Sequence, residues 1–228
     1  MSRQSGGGQT SPATVAALAA DAMALCGGRR AILGITGNPG AGKSTLAALL
    51  CRHIAQHWGA DAVALVPMDG FHLADTQLRR LGLLDRKGAP ETFDARGYAH
   101  LLNRIRHDVE NDVYAPGFDR SLEQPLAAAV VVPPTARLVV TEGNYLLHPD
   151  PPWPDARLSL DSVWFVTVDD QTRRQRLIAR HVEFGKTPQQ ARDWVAAVDD
   201  PNAEQVRLTA AAADRVIVNG VAAWSPSV

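Results

Sequence analysis

Ala31-Ile32-Leu33-Gly34-Ile35-Thr36-Gly37-Asn38-Pro39-Gly40-Ala41-Gly42-Lys43-Ser44-Thr45 is the stretch that decides the architecture. The apolar run Ala31 to Thr36 reads as a buried strand, and Lys43 to Trp58 has helical spacing. The turn between them matches G-x-x-x-x-G-K-[ST] in full. Its glycines let successive backbone N–H groups curl around phosphate oxygens, and the following helix adds unpaired amides and the positive end of its dipole. Gly37, Asn38, Pro39, Gly40, Ala41, Gly42, Lys43, Ser44 and Thr45 are therefore expected to hold a nucleotide. Lys43 reaches the β- and γ-phosphates, the Ser44 hydroxyl ligates Mg²⁺, and Thr45 bonds the α-phosphate.

Outward from this loop the pattern alternates. A second apolar run, Ala62 to Met68, completes a βαβ opening, and further strand candidates follow at Ala129 to Val132, Leu138 to Thr141, Ser162 to Val168 and Arg215 to Val218. Helices are expected near Ala95 to Val109, Gln171 to Val182, Gln189 to Ala197 and Asn202 to Ala213. This alternation predicts an α/β fold: a mostly parallel, five-stranded central sheet between two helical layers. Val113 to Pro125 reads as a loop, and Pro133-Pro134 as an edge or turn. Ser11-Pro12 can open a first helix bearing Val15, Leu18, Ala22 and Leu25. The Gly/Ser/Gln-rich residues 1–10 read as a flexible tail, and 11–228 as one domain with a substrate region at about 70–125 and a lid at about 171–188.

Length and composition agree with one core. The 228 residues are too few for two ordinary independent domains, and 46% apolar with 21% charged residues excludes a disordered or fibrous chain. Lys plus Arg is 23 against 24 Asp plus Glu, a formal charge of -1, so neither nucleic acid nor an anionic membrane is an expected partner. Cys26 and Cys51 show no CxxC or zinc spacing, which fits a reducing compartment, and the cytoplasm is the expected location.

Two carboxylates follow strands. Asp69, in Met68-Asp69-Gly70-Phe71-His72, is a candidate general base or a Mg²⁺ residue acting partly through water, with a turn-capping Asp as the plain alternative. Glu142, ending Leu138 to Thr141, is placed to hold Mg²⁺ or its water, unless it merely ends a strand. Arg173, Arg176 and Arg180 fall at i, i+3 and i+7 and share a helix face, which suits a lid over a triphosphate or an ordinary solvated basic face. His72 is a candidate acceptor contact. Trp153, Trp164 and Trp194 read as packing, and His181 as a helix-surface residue.

The segments GITGNPGAGKST, MDGFH, VTEGNYLL and DDQTRRQRLIARHVEFGK together resemble the uridine kinase, type I pantothenate kinase and phosphoribulokinase superfamily. The resemblance runs from about Ala31 to Asn219 and is nearest the bacterial nucleoside/nucleotide kinase or fructose-transport-system kinase branch. It implies a P-loop NTPase fold, Asp69 as catalytic acid/base, Glu142 near the metal, and the Arg173 to Arg180 helix as lid. It also implies acceptor contacts in Pro90 to Asp94 and Val113 to Asp119, making Glu91, Tyr114, Phe118 and Arg120 substrate candidates. Gly70 and His72 depart from the DSFY segment of uridine kinases and are nearer the pantothenate kinase pattern.

The expected activity is an ATP- and Mg²⁺-dependent transfer of the γ-phosphoryl group to a hydroxyl of a nucleoside, sugar or pantothenate-like metabolite. The alternative is a nucleotide-dependent switch or regulatory protein. A guanine-type N-K-x-D is absent, and the one D-x-x-G match, Asp85 to Gly88, lies in a charged loop. The expected partner is a small hydroxyl acceptor, and oligomeric state is open, a homodimer included.

Overall fold

The computed structural model describes residues 14–219. The expected tail and the Ser11-Pro12 helix start lie outside the described residues. Helix α1 (Val15–Ala24) is capped by Thr14, whose hydroxyl accepts from the Ala17 N–H at 3.2 Å.

β1 (Ala31–Gly37) is buried along its whole length, as a central parallel strand must be. α2 (Lys43–Trp58) turns Leu46, Ala47, Leu50 and Ile54 inward. β2 (Val63–Pro67) follows, then α3 (Asp75–Leu81) and α4 (Ala95–His107). After β3 (Val113–Asp119) and β4 (Gln124–Val132) come β5 (Leu138–Glu142), α5 (Trp153–Arg157) and β6 (Ser162–Thr167). The chain continues through α6 (Asp170–Glu183), α7 (Pro188–Trp194), α8 (Asp200–Leu208) and β7 (Arg215–Val218).

The central sheet has the order β2-β5-β1-β6-β7, and every neighbouring pair is parallel. Alternate β1 side chains feed two cores. Leu33 and Ile35 pack with α1 and α2, while Ile32 joins the cluster containing Tyr98, Leu102 and Trp153. The result is a three-layer α/β fold with the phosphate loop after its central strand. The register aligns Glu142 of β5 with Ile35 of β1 and with Pro67 of β2. It thereby gathers the phosphate loop, Asp69 and Glu142 at the carboxyl edge, where ligands bind in open α/β sheets.

The structure corrects three local expectations. Val113 to Pro125 is not a loop: β3 and β4 form an antiparallel hairpin outside the central sheet, so Ala129 to Val132 is not an edge of that sheet. Pro116 and Gly117 mask the strand in the sequence, and a register shift between Ala115 and Gly117 accommodates them. The two helices expected after Gln189 are one continuous arm, with a π-helical turn at Val195–Asp199 between α7 and α8. Pro201 has no N–H and crowds the carbonyl four residues back, so the helix widens there and the Asp200 N–H bonds Val195 O. That arm ends at Leu208, before the expected Ala213. No described helix is long and apolar enough to cross a membrane.

Candidate active site

The phosphate loop is set by backbone geometry. Gly37, Gly40 and Gly42 have φ of 141°, 79° and 98°, which L side chains rarely adopt, and a Cβ on Gly37 would stand 2.1 Å from the Val166 carbonyl oxygen. No side chain caps α2, so its first-turn N–H groups are left for an anion. Lys43, the first residue of α2, is buried and donates to Asn38 O at 3.1 Å. Burial lowers its ammonium to about 8, although Glu142 and Asp69 partly offset this.

Met68–Phe71 forms a single 3₁₀ turn after β2, and Gly70 packs so tightly against the hairpin that a Cβ would lie 2.3 Å from Pro116 O. The turn presents Asp69 to a cavity of about 800 Å³ that also includes Pro39, Gly40, Lys43, Ser44, Glu142 and Arg180. Arg120, from the turn of the hairpin, donates to Asp69 Oδ2 at 3.3 Å. Glu142 is raised to about 7, first by burial and then by Asp69, while Lys43 and a hydrogen bond from Ser44 act in the other direction. Gly143 is forced beside Glu142, since a Cβ there would meet Met68 Cβ at 2.5 Å.

The donors fit a magnesium nucleotide. Ser44, Glu142 and Asp69 offer hard oxygen ligands, and among the described residues no three His, Cys, Asp or Glu side chains converge on a metal site. A divalent ion here would complete its shell from phosphate oxygens and water, the usual habit of Mg²⁺.

His72 lies between Phe93 and Phe118, with ring centroids 4.0 and 4.8 Å away, and its Nδ1 is 2.8 Å from Asp69 O. Burial holds its imidazole below the ordinary range, so the ring is neutral at neutral pH. Lys87 donates to Asp75 at 2.7 Å and to the Glu123 carbonyl, tying the start of α3 to the hairpin turn.

The chain has relatives that match it over most of its length. It is 35% identical over 161 residues to a Schizosaccharomyces pombe protein named "Putative uridine kinase C227.14", covering 69% of this chain and 68% of that one. The chain belongs to the uridine kinase- and pantothenate kinase-like P-loop kinase family. The Escherichia coli protein YggC, uncharacterized by name, is 36% identical over 189 residues, 83% of this chain and 78% of that one. A crystal structure described as a "putative fructose transport system kinase" from Silicibacter superposes with a TM-score of 0.81 at 35% identity, covering 90% of this chain and 98% of that one. No protein-family model matches the chain.

In this P-loop kinase the residues singled out from the sequence divide. Asp69, Glu142, Lys43, Ser44, His72, Phe118, Arg120 and Arg180 line the one cavity, with Pro39 and Gly40 of the loop. Thr45 is exposed but is not part of that lining. The shared face of the three lid arginines does not carry through. Arg173 is 2% exposed and bonds Asp170 at 3.0 Å and Asp200, its backbone carbonyl packing under Gly40. Arg176 Nη1 lies 3.5 Å from Gly40 O, and Arg180 reaches the cavity. Glu91 is paired with Arg86 at 2.7 Å outside the cavity. Tyr114, 57% exposed, sits on the outward face of the hairpin opposite Val131. Simple alternation would put Phe118, four residues on, on the same face, and the register shift between Ala115 and Gly117 lies between the two.

Other cavity residues escaped the sequence reading. His181 is a lining residue rather than a surface one, its Nε2 2.8 Å from Asp199 Oδ2, and Trp194 and Asn202 line the same wall. Only the π turn and the packing of α6 on the arm bring them there. Trp153 and Trp164 are buried packing residues, as expected.

Proposed function

We propose that this kinase transfers the γ-phosphoryl group of ATP, with Mg²⁺, to a hydroxyl of a small metabolite such as a nucleoside, a sugar or a pantothenate-like alcohol. The observation that carries the reading is the convergence of two strand-end carboxylates, Asp69 and Glu142, on Lys43 of the phosphate loop inside one cavity. The kinase names of the relatives support it.

In this reading Asp69 takes the acceptor hydroxyl's proton as its oxygen attacks the γ-phosphorus, and Arg120 holds the carboxylate in place. Ser44 and Glu142 would hold the metal, which when bound would neutralise charge on the phosphates. Lys43 and Arg180 line the same cavity and would face the charge that builds on the transferred group.

The test is acceptor-dependent ADP release across a hydroxyl panel, with ATP or GTP, and with Mg²⁺ or a chelator. Asp69→Asn should lower turnover by roughly 10²- to 10⁴-fold while nucleotide binding persists. Unchanged turnover removes Asp69 from the chemistry, and GTP preference without acceptor stimulation would favour a switch.

A further inference from the structure

A second cavity lies at the amino edge of the central sheet, away from the phosphate loop. It holds about 470 Å³ between the link from α1 to β1, the end of α4 and the link from β4 to β5, a size suited to a small molecule. Four of its ten described lining residues, Arg29, Arg30, Arg106 and Arg137, are arginine and none is acidic, in a chain whose formal charge is -1. Arg30 directly precedes β1 and Arg137 directly precedes β5, so the length of these strands, roughly 20 Å, separates this cavity from Lys43 and Glu142.

The hydrogen bonds separate what builds this cavity from what it can bind. Arg30 is buried and gives all five of its side-chain N–H groups to main-chain oxygens, those of Ala136, Ile105, Asp108, Pro133 and Pro134, at 2.8 to 3.1 Å. It fixes the walls relative to one another yet bonds no carboxylate, because the Asp108 side chain is engaged with Arg104 and Asn111. Arg29 and Arg106 share a single carboxylate, Asp161, at 2.6 and 2.8 Å. Beyond that pair, Arg29 Nη1 donates to Arg30 O, and Arg106 Nε and Nη2 donate to Ser159 O. This leaves both Nη1 hydrogens of Arg106, and three N–H groups of Arg29, without a partner among the described residues.

The Arg137 guanidinium makes no hydrogen bond or ion pair among those residues and lies over the Trp58 ring, 3.8 Å from its centroid. Stacking uses the face of the fork and leaves its in-plane N–H groups free. Burial raises the Cys26 thiol of the same cavity, and the charges of Arg137 and then Arg29 pull against it, so both cations act on one wall.

Four guanidiniums around one carboxylate leave the cavity short of negative charge. A phosphomonoester carries nearly two negative charges and three acceptor oxygens, which matches the three arginines that keep free N–H groups, and guanidinium forks grip phosphate oxygens in pairs. A nucleic-acid backbone calls for an extended basic surface, whereas these charges are gathered in one concavity. We propose that this cavity is a second ligand site, which takes the phosphoryl group of a small metabolite through Arg29, Arg106 and Arg137 on the frame that Arg30 sets. It stands apart from the kinase reading of the other cavity.

The experiment uses the whole chain with its nucleotide site saturated by Mg²⁺ and a nonhydrolysable ATP analogue. Inorganic phosphate and D-ribose 5-phosphate are titrated beside D-ribose, citrate and a short single-stranded oligonucleotide, all at an ionic strength matched with potassium chloride. The readouts are the melting temperature and the Trp58 indole N–H resonance, whose ring lies against Arg137. Both phosphates should move that resonance to saturation and raise the melting temperature, and D-ribose should do neither. Arg137→Gln and Arg29→Gln should each weaken the dissociation constant by about tenfold or more. A ligand-free melting temperature near wild type shows that Arg137→Gln folds, and Arg29→Gln decides if it does not. Saturable binding with an unaltered constant in the folded variants places the phosphate elsewhere and overturns the proposal. So does a response no larger than that to chloride, or tighter binding of citrate or of the oligonucleotide.

Discussion

Arg120 Nη2 lies 3.3 Å from Asp69 Oδ2, joining the turn of the β3–β4 hairpin to the carboxylate that follows β2. The pair makes the hairpin part of the active-site wall. Arg120→Ala should lower kcat by roughly 10- to 100-fold in steady-state assays, because the proton acceptor loses its orienting partner. The KM for MgATP should stay within about twofold, and Arg120→Lys should recover part of the loss by keeping the charge but not the planar fork.

Arg173 and Arg180 separate stability from chemistry on one helix. Arg173→Ala removes a buried cation that holds Asp170 and Asp200 and leaves a gap under Gly40, a loss of about 3 kcal/mol visible in chemical denaturation. Arg180 has no hydrogen-bond or ion-pair partner among the described residues, and it lines the cavity. Arg180→Ala should keep the melting temperature near wild type while kcat falls on the order of 10³-fold.

Glu142 makes the nucleotide-free protein sensitive to pH. Its folded value of about 7 lies above the ordinary 4.5, so ionisation disfavours the fold: the cost is absent below 4.5, grows from there to 7, and is complete above 7. Lys43 acts at higher pH. Its folded value near 8 lies below the ordinary 10.5, so its cost is complete below 8 and fades as pH rises to 10.5. Glu142→Gln should therefore raise the melting temperature of nucleotide-free protein at pH 8 and lose that advantage near pH 4.5. The same variant should abolish Mg²⁺-dependent turnover.

Gly70 is fixed by packing rather than by a special φ. An alanine there must push the Pro116 carbonyl away from 2.3 Å, moving the hairpin and Arg120 relative to Asp69. Gly70→Ala should lower kcat by about tenfold or more, with nucleotide binding preserved in titration calorimetry, since misplacement near 1 Å is costly in a preorganised site.

By itself the sequence determined the phosphate loop, the parallel strands around it and the placement of Asp69 and Glu142 at strand ends. Those features are local: glycine geometry, a lysine at a helix start and apolar runs of strand length each leave a signature within a few residues. Tertiary structure alone decided the remainder. The pairing that makes β3 a strand joins Val113 to Val132, and no local pattern reports it across Pro116 and Gly117. Helical spacing put three arginines on one face, but Asp200, on a distant helix, drew Arg173 into the interior and left Arg180 at the cavity. His181, Asp199 and Asn202 became one wall because Pro201 widened a helix and α6 packed against it. A phosphate grip is written in contiguous residues because backbone amides provide it, whereas an acceptor pocket is assembled from side chains that only long-range packing brings within hydrogen-bond reach.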